Sequence, residues 1–282
     1  MIEKLTVNGF KGIPFLESSS LMQHCKGSLR FSKTKPNVIV GPNGSGKSAL
    51  MQSLALRHLA YFMGHSALDD KYVVGHDSDA FWTNASRWGH DWTFLQGFDC
   101  KGDGAPVLYY RPGHIPGNER DYTHAMMVGY FEEAKAQARL VEGKSSGQQS
   151  QALLKGLLSA LSGDGLPVAY DAVNWRFGRQ ARELSRQQWT GAYEHQAEVL
   201  KKLFLTESTG TPALLMDEPE QSLDARAEMQ LWNALAQADC SRMQVIVATH
   251  SVYPLLHPKK FNIIEAEGGY AAQVLELLGQ GS

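Results

Sequence analysis

At 282 residues, with 43% hydrophobic and 20% charged residues, the chain has material for one large α/β domain or two small ones. A formal net charge of −2 provides no overall basic field of the kind that holds nucleic acid, and Cys25, Cys100 and Cys240 stand in no metal or redox spacing, as reduced cytoplasmic thiols would. The most apolar run, LLKGLLSAL, is broken by Lys155 and Gly156 and falls far short of a membrane span, and MIEKLTVNGFKGI lacks the apolar stretch of a secretory signal, so the expectation is a soluble cytoplasmic protein.

In chain order, IEKLTV (2–7) and SLRFS (28–32) read as strands. Between them and the first strong motif, Lys26, Arg30, Lys33 and Lys35 form a basic strip best read as a solvated hairpin. NVIV (37–40) is a short continuous apolar run, as expected for a strand buried on both faces. GPNGSGKS follows it, and ALMQSLALRHLAYF then reads as helix. The stretch 64–121 is rich in Gly, Asp and aromatics, with LQGF (95–98) and VLYYR (107–111) as the strand edges. Trp82, Trp88 and Trp92 within it are read as packing residues. HAMMVGYFEEAKAQARLV (124–141) reads as helix, and polar SSGQQS leads into a second helix. After a mostly helical segment at about 163–211, ALLMDE (213–218) and MQVIVATHS (243–251) are buried strands flanking an amphipathic helix over 225–238. FNIIEAEGGYAAQVLEL (261–277) reads as a hairpin or strand-turn-strand. Strands alternating with helices predict an α/β fold whose mainly parallel sheet has an antiparallel edge from the N-terminal strands.

Three motifs carry chemistry. GPNGSGKS matches the phosphate-binding pattern G-x-x-x-x-G-K-[ST] at Gly41, Gly46, Lys47 and Ser48. Its glycines let backbone N–H groups turn inward on phosphate oxygens, while the following helix adds its positive end. Lys47 would reach the β- and γ-phosphates, Ser48 would ligate Mg²⁺, and Asn43, Gly44, Ser45, Gly46, Lys47, Ser48 and Ala49 would line the nucleotide. LLMDEPE delivers two adjacent carboxylates at a strand's C-terminal end, Asp217 for the metal and Glu218 as general base. VIVATHS places His250 past another buried strand, where a parallel sheet would set it beside Asp217 and Glu218 and within reach of a γ-phosphate.

Together these motifs resemble the ABC-type ATPase superfamily over residues 1 to about 267, and the sequence is read as one such domain over 1–282, with a helical signature region at about 124–162 and a mostly helical insert at about 163–211. The resemblance implies a P-loop NTPase fold of the ABC type. It makes SSGQQ the counterpart of the signature LSGGQ, with Ser145 as the signature serine, Ser146 and Gly147 at the glycine pair and Gln148 at the glutamine. It likewise makes SLDA, with Asp224, the D-loop and His250 the switch histidine. In such proteins two cores pack head to tail, so the signature of one meets the γ-phosphate held by the other and an ATP-dependent homodimer is implied. Gln96 is the candidate for the metal-sensing Q-loop glutamine, and Phe10 and Lys11 are candidates for packing on adenine.

Ser146 in place of a glycine, the NGFKGI ending of the first strand and the style of DEPEQSLD resemble the soluble chromosome-maintenance, recombination and OLD-like ATPases more than transporter subunits. With 32 residues after His250, no nuclease domain of the kind OLD-like enzymes append is expected in this sequence. The expectation is an ATPase using ATP and Mg²⁺ to switch an unidentified effector protein, in the manner of bacterial anti-phage defence systems. The competing readings are a DNA-engaging recombination or repair ATPase, which the charge does not support, and the ATPase subunit of a membrane transporter. A non-hydrolysing scaffold would leave Glu218 and His250 without a purpose.

Overall fold

The computed structural model describes residues 1–10, 14–58, 97–103, 107–111, 210–221 and 223–279, together with positions 61, 62, 65, 66, 105, 143, 148 and 161. The helix expected at 124–141, the three tryptophans and the insert at 163–211 lie outside the described residues, apart from Gly210 and Thr211 at the insert's end.

Two sheets organise these residues. Strands β1 (Ile2–Val7), β2 (Ser28–Arg30) and β6 (Phe98–Gly102) form an antiparallel sheet in the order β2-β1-β6. The second sheet contains β3 (Asn37–Val40), β4 (Tyr61–Phe62), β5 (His65–Ser66), β7 (Val107–Tyr110), β8 (Ala213–Asp217), β9 (Gln244–Thr249) and β10 (Asn262–Glu265). Its order is β10-β3-β9-β8-β7-β4-β5, parallel throughout except for β5 against β4. The N-terminal strands therefore build a sheet of their own rather than an antiparallel edge of the parallel one.

Every residue of β3, β8 and β9 is buried, because helices and the antiparallel sheet cover both faces. Helix α3 (Lys47–Arg57) buries Ala49, Leu50, Met51, Leu54 and Ala55, and the Ser53 hydroxyl returns its hydrogen bond to Ala49 O at 2.8 Å. Helix α4 (Ala225–Ala236) starts at Asp224, whose carboxylate caps it by accepting from Ala227 N at 2.9 Å. Its apolar stripe of Ala227, Leu231, Trp232 and Leu235 faces the core, where Trp232 stacks on Tyr253 with ring centroids 6.0 Å apart.

Three local expectations are corrected, and one strand edge is placed to the residue. Helix α3 stops at Arg57, and Tyr61 and Phe62 form β4, because a parallel partner in β7 at Leu108 and Tyr109 outweighs helical propensity for two aromatic residues. Strand β6 starts at Phe98, the last residue of LQGF, because Gly97 before it sits at φ +79, where a Cβ would lie 2.2 Å from Asn8 O. After β10 the chain forms helix α6 (Tyr270–Leu277) rather than a second strand, since Ala271, Val274 and Leu275 recur at helical spacing and pack on the core. The basic strip is not a hairpin. Two short helices, α1 (Pro14–Glu17) and α2 (Ser20–His24), precede a tight turn at Lys26 into β2, Lys33 pairs with Glu3 at 2.6 Å, and Lys35 donates to Lys259 O. Helix α5 spans Tyr253–Leu256 and is followed by a 3-10 turn at Pro258–Lys260.

Two buried amides tie strands together, and one of them joins the two sheets. Gln244, at the start of β9, accepts from Ile2 N at 2.6 Å and donates to Ile2 O at 2.8 Å, so its side chain pairs with β1 as a neighbouring backbone would. Asn37, on β3, binds the segment that leads into its own strand and its neighbour in the same sheet: it accepts from Ser32 N at 2.6 Å and donates to Ser32 O and Val245 O, each at 3.1 Å. Replacing Gln244 by Leu would leave a buried N–H and C=O of Ile2 unpaired. Thermal or urea unfolding of Gln244→Leu is expected to show a loss of about 2–4 kcal/mol, and an unchanged midpoint would refute the bridging role.

Candidate functional site

The C-terminal ends of β3, β9, β8 and β7 lie side by side, the edge at which parallel sheets bind ligands. From Val40 the chain turns through Gly41–Gly46 and enters α3 at Lys47. Gly46 has φ +98, and a Cβ on it would lie 2.5 Å from the side chain of Ser19, so only glycine fits. Ser19 is the N-cap of α2, and Leu21 N of that helix donates to Ser45 O at 3.1 Å. Helix α2, which the sequence did not signal, thus forms the floor of the phosphate loop.

Lys47 is buried, and its ammonium lies over the loop, donating to Gly41 O at 2.8 Å and Pro42 O at 2.9 Å. Burial lowers its pKa, while the negative charges of Glu218, Asp217 and Glu220 act to raise it. The Ser45 hydroxyl is buried and has no hydrogen-bond partner among the described residues. A lysine charge, inward-turned glycines and an unsatisfied hydroxyl around one loop suit a polyphosphate.

Asp217 ends β8 with no solvent exposure. Its Oδ1 accepts from the Ser48 hydroxyl at 2.9 Å and its Oδ2 from the Tyr109 hydroxyl at 3.2 Å, with Arg111 Nε 3.7 Å from Oδ2. Burial pushes the Asp217 carboxyl up from its ordinary range, opposed by Arg111 and by the Ser48 hydrogen bond. Ser48 and Asp217 offer hard oxygen donors in contact with each other, a set that fits a divalent ion completed by phosphate oxygens and water, as Mg²⁺ prefers.

Glu218 leaves the strand in the left-handed region, at φ +50, immediately before Pro219. A non-glycine residue there carries about 1–3 kcal/mol of strain, of the kind that collects at functional sites. Its N–H still donates to Ala248 O of β9 at 2.8 Å, and its carboxylate reaches out to His250 Nε2 at 3.2 Å. Both side chains are about one-third exposed, at 32% and 34%, so the pair faces a space that solvent and a ligand can enter. A partly exposed carboxylate beside a histidine can take a proton from a water.

Glu220 locks this arrangement. Its Oε1 accepts from Thr249 Oγ1 at 2.6 Å and from His250 N at 2.9 Å, and burial pushes its carboxyl up. The turn that carries Glu218 therefore also holds the backbone of His250.

The structure thus brings together Lys47, Ser48, Asp217, Glu218 and His250, all singled out by sequence. Asn43 and Gly44 lie in the same loop, while Ala49 is buried at the start of α3. Asp224 is engaged as the cap of α4. Gln148 is helical and exposed, whereas Ser145, Ser146, Gly147, Gln96 and Lys11 lie outside the described residues. Phe10 is no adenine platform: it is buried against Phe98, with ring centroids 5.0 Å apart. Sequence reasoning missed Tyr109, Arg111 and Glu220. The alternation in VLYYR puts residues 109 and 111 on one side of β7, and DEPE shows a further acid after the pair, yet neither signal names a partner.

Residues 72–255 match the family described as an AAA domain, putative AbiEii toxin, type IV TA system. The chain belongs to this family. The matched span begins after the phosphate loop and contains SSGQQ, Asp217, Glu218 and His250. Membership places the chain among the P-loop ATPases related to the ABC type, an α/β fold. No curated protein matches it. Among the described residues, no helix is long and apolar enough to cross a membrane.

Two outcomes follow for this AAA-family site. Gly46→Ala is expected to abolish binding of a fluorescent ATP analogue and to lower stability by about 1–3 kcal/mol; retained binding would sink the close-approach argument. Glu220→Ala is expected to slow ATP turnover about 10- to 100-fold through misplacement of His250, with nucleotide affinity unchanged. Glu220→Gln should recover most of the rate, since its carbonyl can accept both hydrogen bonds, and equal loss in the two variants would refute the positioning role.

Proposed function

We propose that this protein is an ATPase that closes head to tail with a second copy of itself around Mg²⁺-ATP and reopens after hydrolysis, switching an effector protein in the process. The observation that carries this reading is the pairing of Glu218 with His250 at 3.2 Å beside the Ser48–Asp217 contact at 2.9 Å. A binding-only nucleotide site has no need of an exposed carboxylate held in a strained conformation against a histidine.

The phosphate-loop amides and Lys47 bind and neutralise the β- and γ-phosphates. Ser48 and Asp217 would hold the divalent ion, which would supply positive charge against the phosphates. Glu218 orients the attacking water in line with the γ-phosphate and takes its proton at Oε1 or Oε2, while His250 keeps Glu218 in place and donates toward the γ-phosphate. Gln96 is assigned to sensing that phosphate through the metal.

Ser145, Ser146, Gly147 and Gln148 are assigned to the γ-phosphate of the opposite subunit, with Asp224 near the same interface. Neither site is complete in one copy under this assignment. The family's description as a putative toxin of a type IV toxin–antitoxin system supports a place in defence, with this chain as the ATP-driven switch. A DNA-engaging role draws less support, because Lys33 and Lys35 of the basic strip are engaged within the protein.

The test is the solution mass of Glu218→Gln by light scattering after gel filtration. It should stay near 31.1 kDa without nucleotide and double with Mg²⁺-ATP. A variant that binds ATP and remains monomeric sinks the homodimer, and rapid multiple turnover by it sinks the assignment of Glu218 as base.

A further inference from the structure

The strand that flanks β8 on the side away from the phosphate loop is β7, and its last paired residue is Tyr110, opposite Met216. The next residue, Arg111, is therefore level with Asp217. The two oxygens of Asp217 are divided between neighbours: Oδ1 takes the Ser48 hydroxyl from α3, whereas Oδ2 faces Tyr109 and Arg111. Among the described residues Arg111 is the cation within ion-pair distance of Asp217, at 3.7 Å, because Lys47 directs its hydrogen bonds to Gly41 O and Pro42 O. A fully buried carboxylate needs such a countercharge, and a guanidinium supplies a permanent one.

A divalent ion held by Ser48 and Asp217 would bring a second and larger positive charge to the same carboxylate. Two cations sharing one buried anion repel each other strongly where solvent is excluded. We propose that Arg111 is the countercharge of Asp217 when no metal is bound and that it competes with the divalent ion, so that it sets metal affinity and carries metal loading to the end of β7. Because Arg111 is about one-third exposed, its side chain has room to withdraw toward solvent when the ion arrives. This role deepens the ATPase reading and rests on Ser48 and Asp217 as metal ligands.

The experiment titrates Mn²⁺ into the full-length protein saturated with a non-hydrolysable ATP analogue and follows free Mn²⁺ by electron paramagnetic resonance. Arg111→Met should bind Mn²⁺ about three- to tenfold more tightly than the parent protein, a discounted value for a partly exposed charge. Arg111→Lys, which keeps the charge, should stay within about twofold. In EDTA, Arg111→Met should melt below the parent, and Mn²⁺ should close the gap. If Arg111→Met does not fold, Arg111→Gln replaces it, and the same tightening is expected. Asp217→Asn separates the two levels of the argument. If Asp217→Asn weakens Mn²⁺ binding while loss of the Arg111 charge leaves it equal or weaker, the competition proposal is overturned and the metal site stands. If Asp217→Asn leaves Mn²⁺ binding unchanged, the metal site itself is overturned, and the role of Arg111 falls with it.

Discussion

A carboxylate without solvent exposure, at the end of a strand buried on both faces, is the constraint around which this molecule is arranged. Asp217 can be held there only if neighbours compensate the water it has lost. The Ser48 hydroxyl comes from the first turn of α3, the Tyr109 hydroxyl and the Arg111 guanidinium from β7. Satisfying one oxygen pair thus fixes the phosphate-loop helix, β8 and β7 relative to one another. The groups that make the carboxylate tolerable are the groups that define the site.

One step further along the chain the logic changes from satisfaction to strain. Glu218 adopts a left-handed backbone just before a proline, where the following ring further narrows the choice of conformation. What fixes it is the neighbouring strand: Glu218 N bonds to Ala248 O, and Glu220 holds Thr249 and His250 from the same turn. The energy stored at one residue is offset by hydrogen bonds spread over the two strand ends. This arrangement sets a carboxylate and an imidazole facing each other, the kind of preorganisation that the proposed activation of water would use.

Much of this was legible in the residues. Continuous apolar runs such as NVIV and QVIVAT mark strands covered on both sides, and GPNGSGKS, LLMDE and VIVATHS each state a chemistry through residue type and spacing. What escaped reading depended on contacts distant in sequence. Helices α1 and α2 are too short to show a period, and α2 is held by its contacts with the phosphate loop. Tyr61 and Phe62 become a strand only because β7 offers an edge. Arg111 reads as the end of an ordinary strand until β8 is placed beside it, and Glu220 reads as an exposed acid until β9 is. Gln244, a polar residue at the head of an apolar run, looks like a boundary marker. It is instead the side chain that joins the two sheets.

The contact between Gly46 and Ser19 has a consequence for genetics. The phosphate loop rests on α2, and α2 is tied to it by Leu21 N on Ser45 O. Residues 14–24 contain nothing that resembles a nucleotide motif, and a scan for known patterns would pass over them. A bulky replacement at Ser19 or a helix breaker at Leu21 would nonetheless tilt the loop from below. In an unbiased screen for loss of function, such alleles should therefore cluster with lesions in the phosphate loop, and their suppressors should map to the loop rather than to the surface of α2.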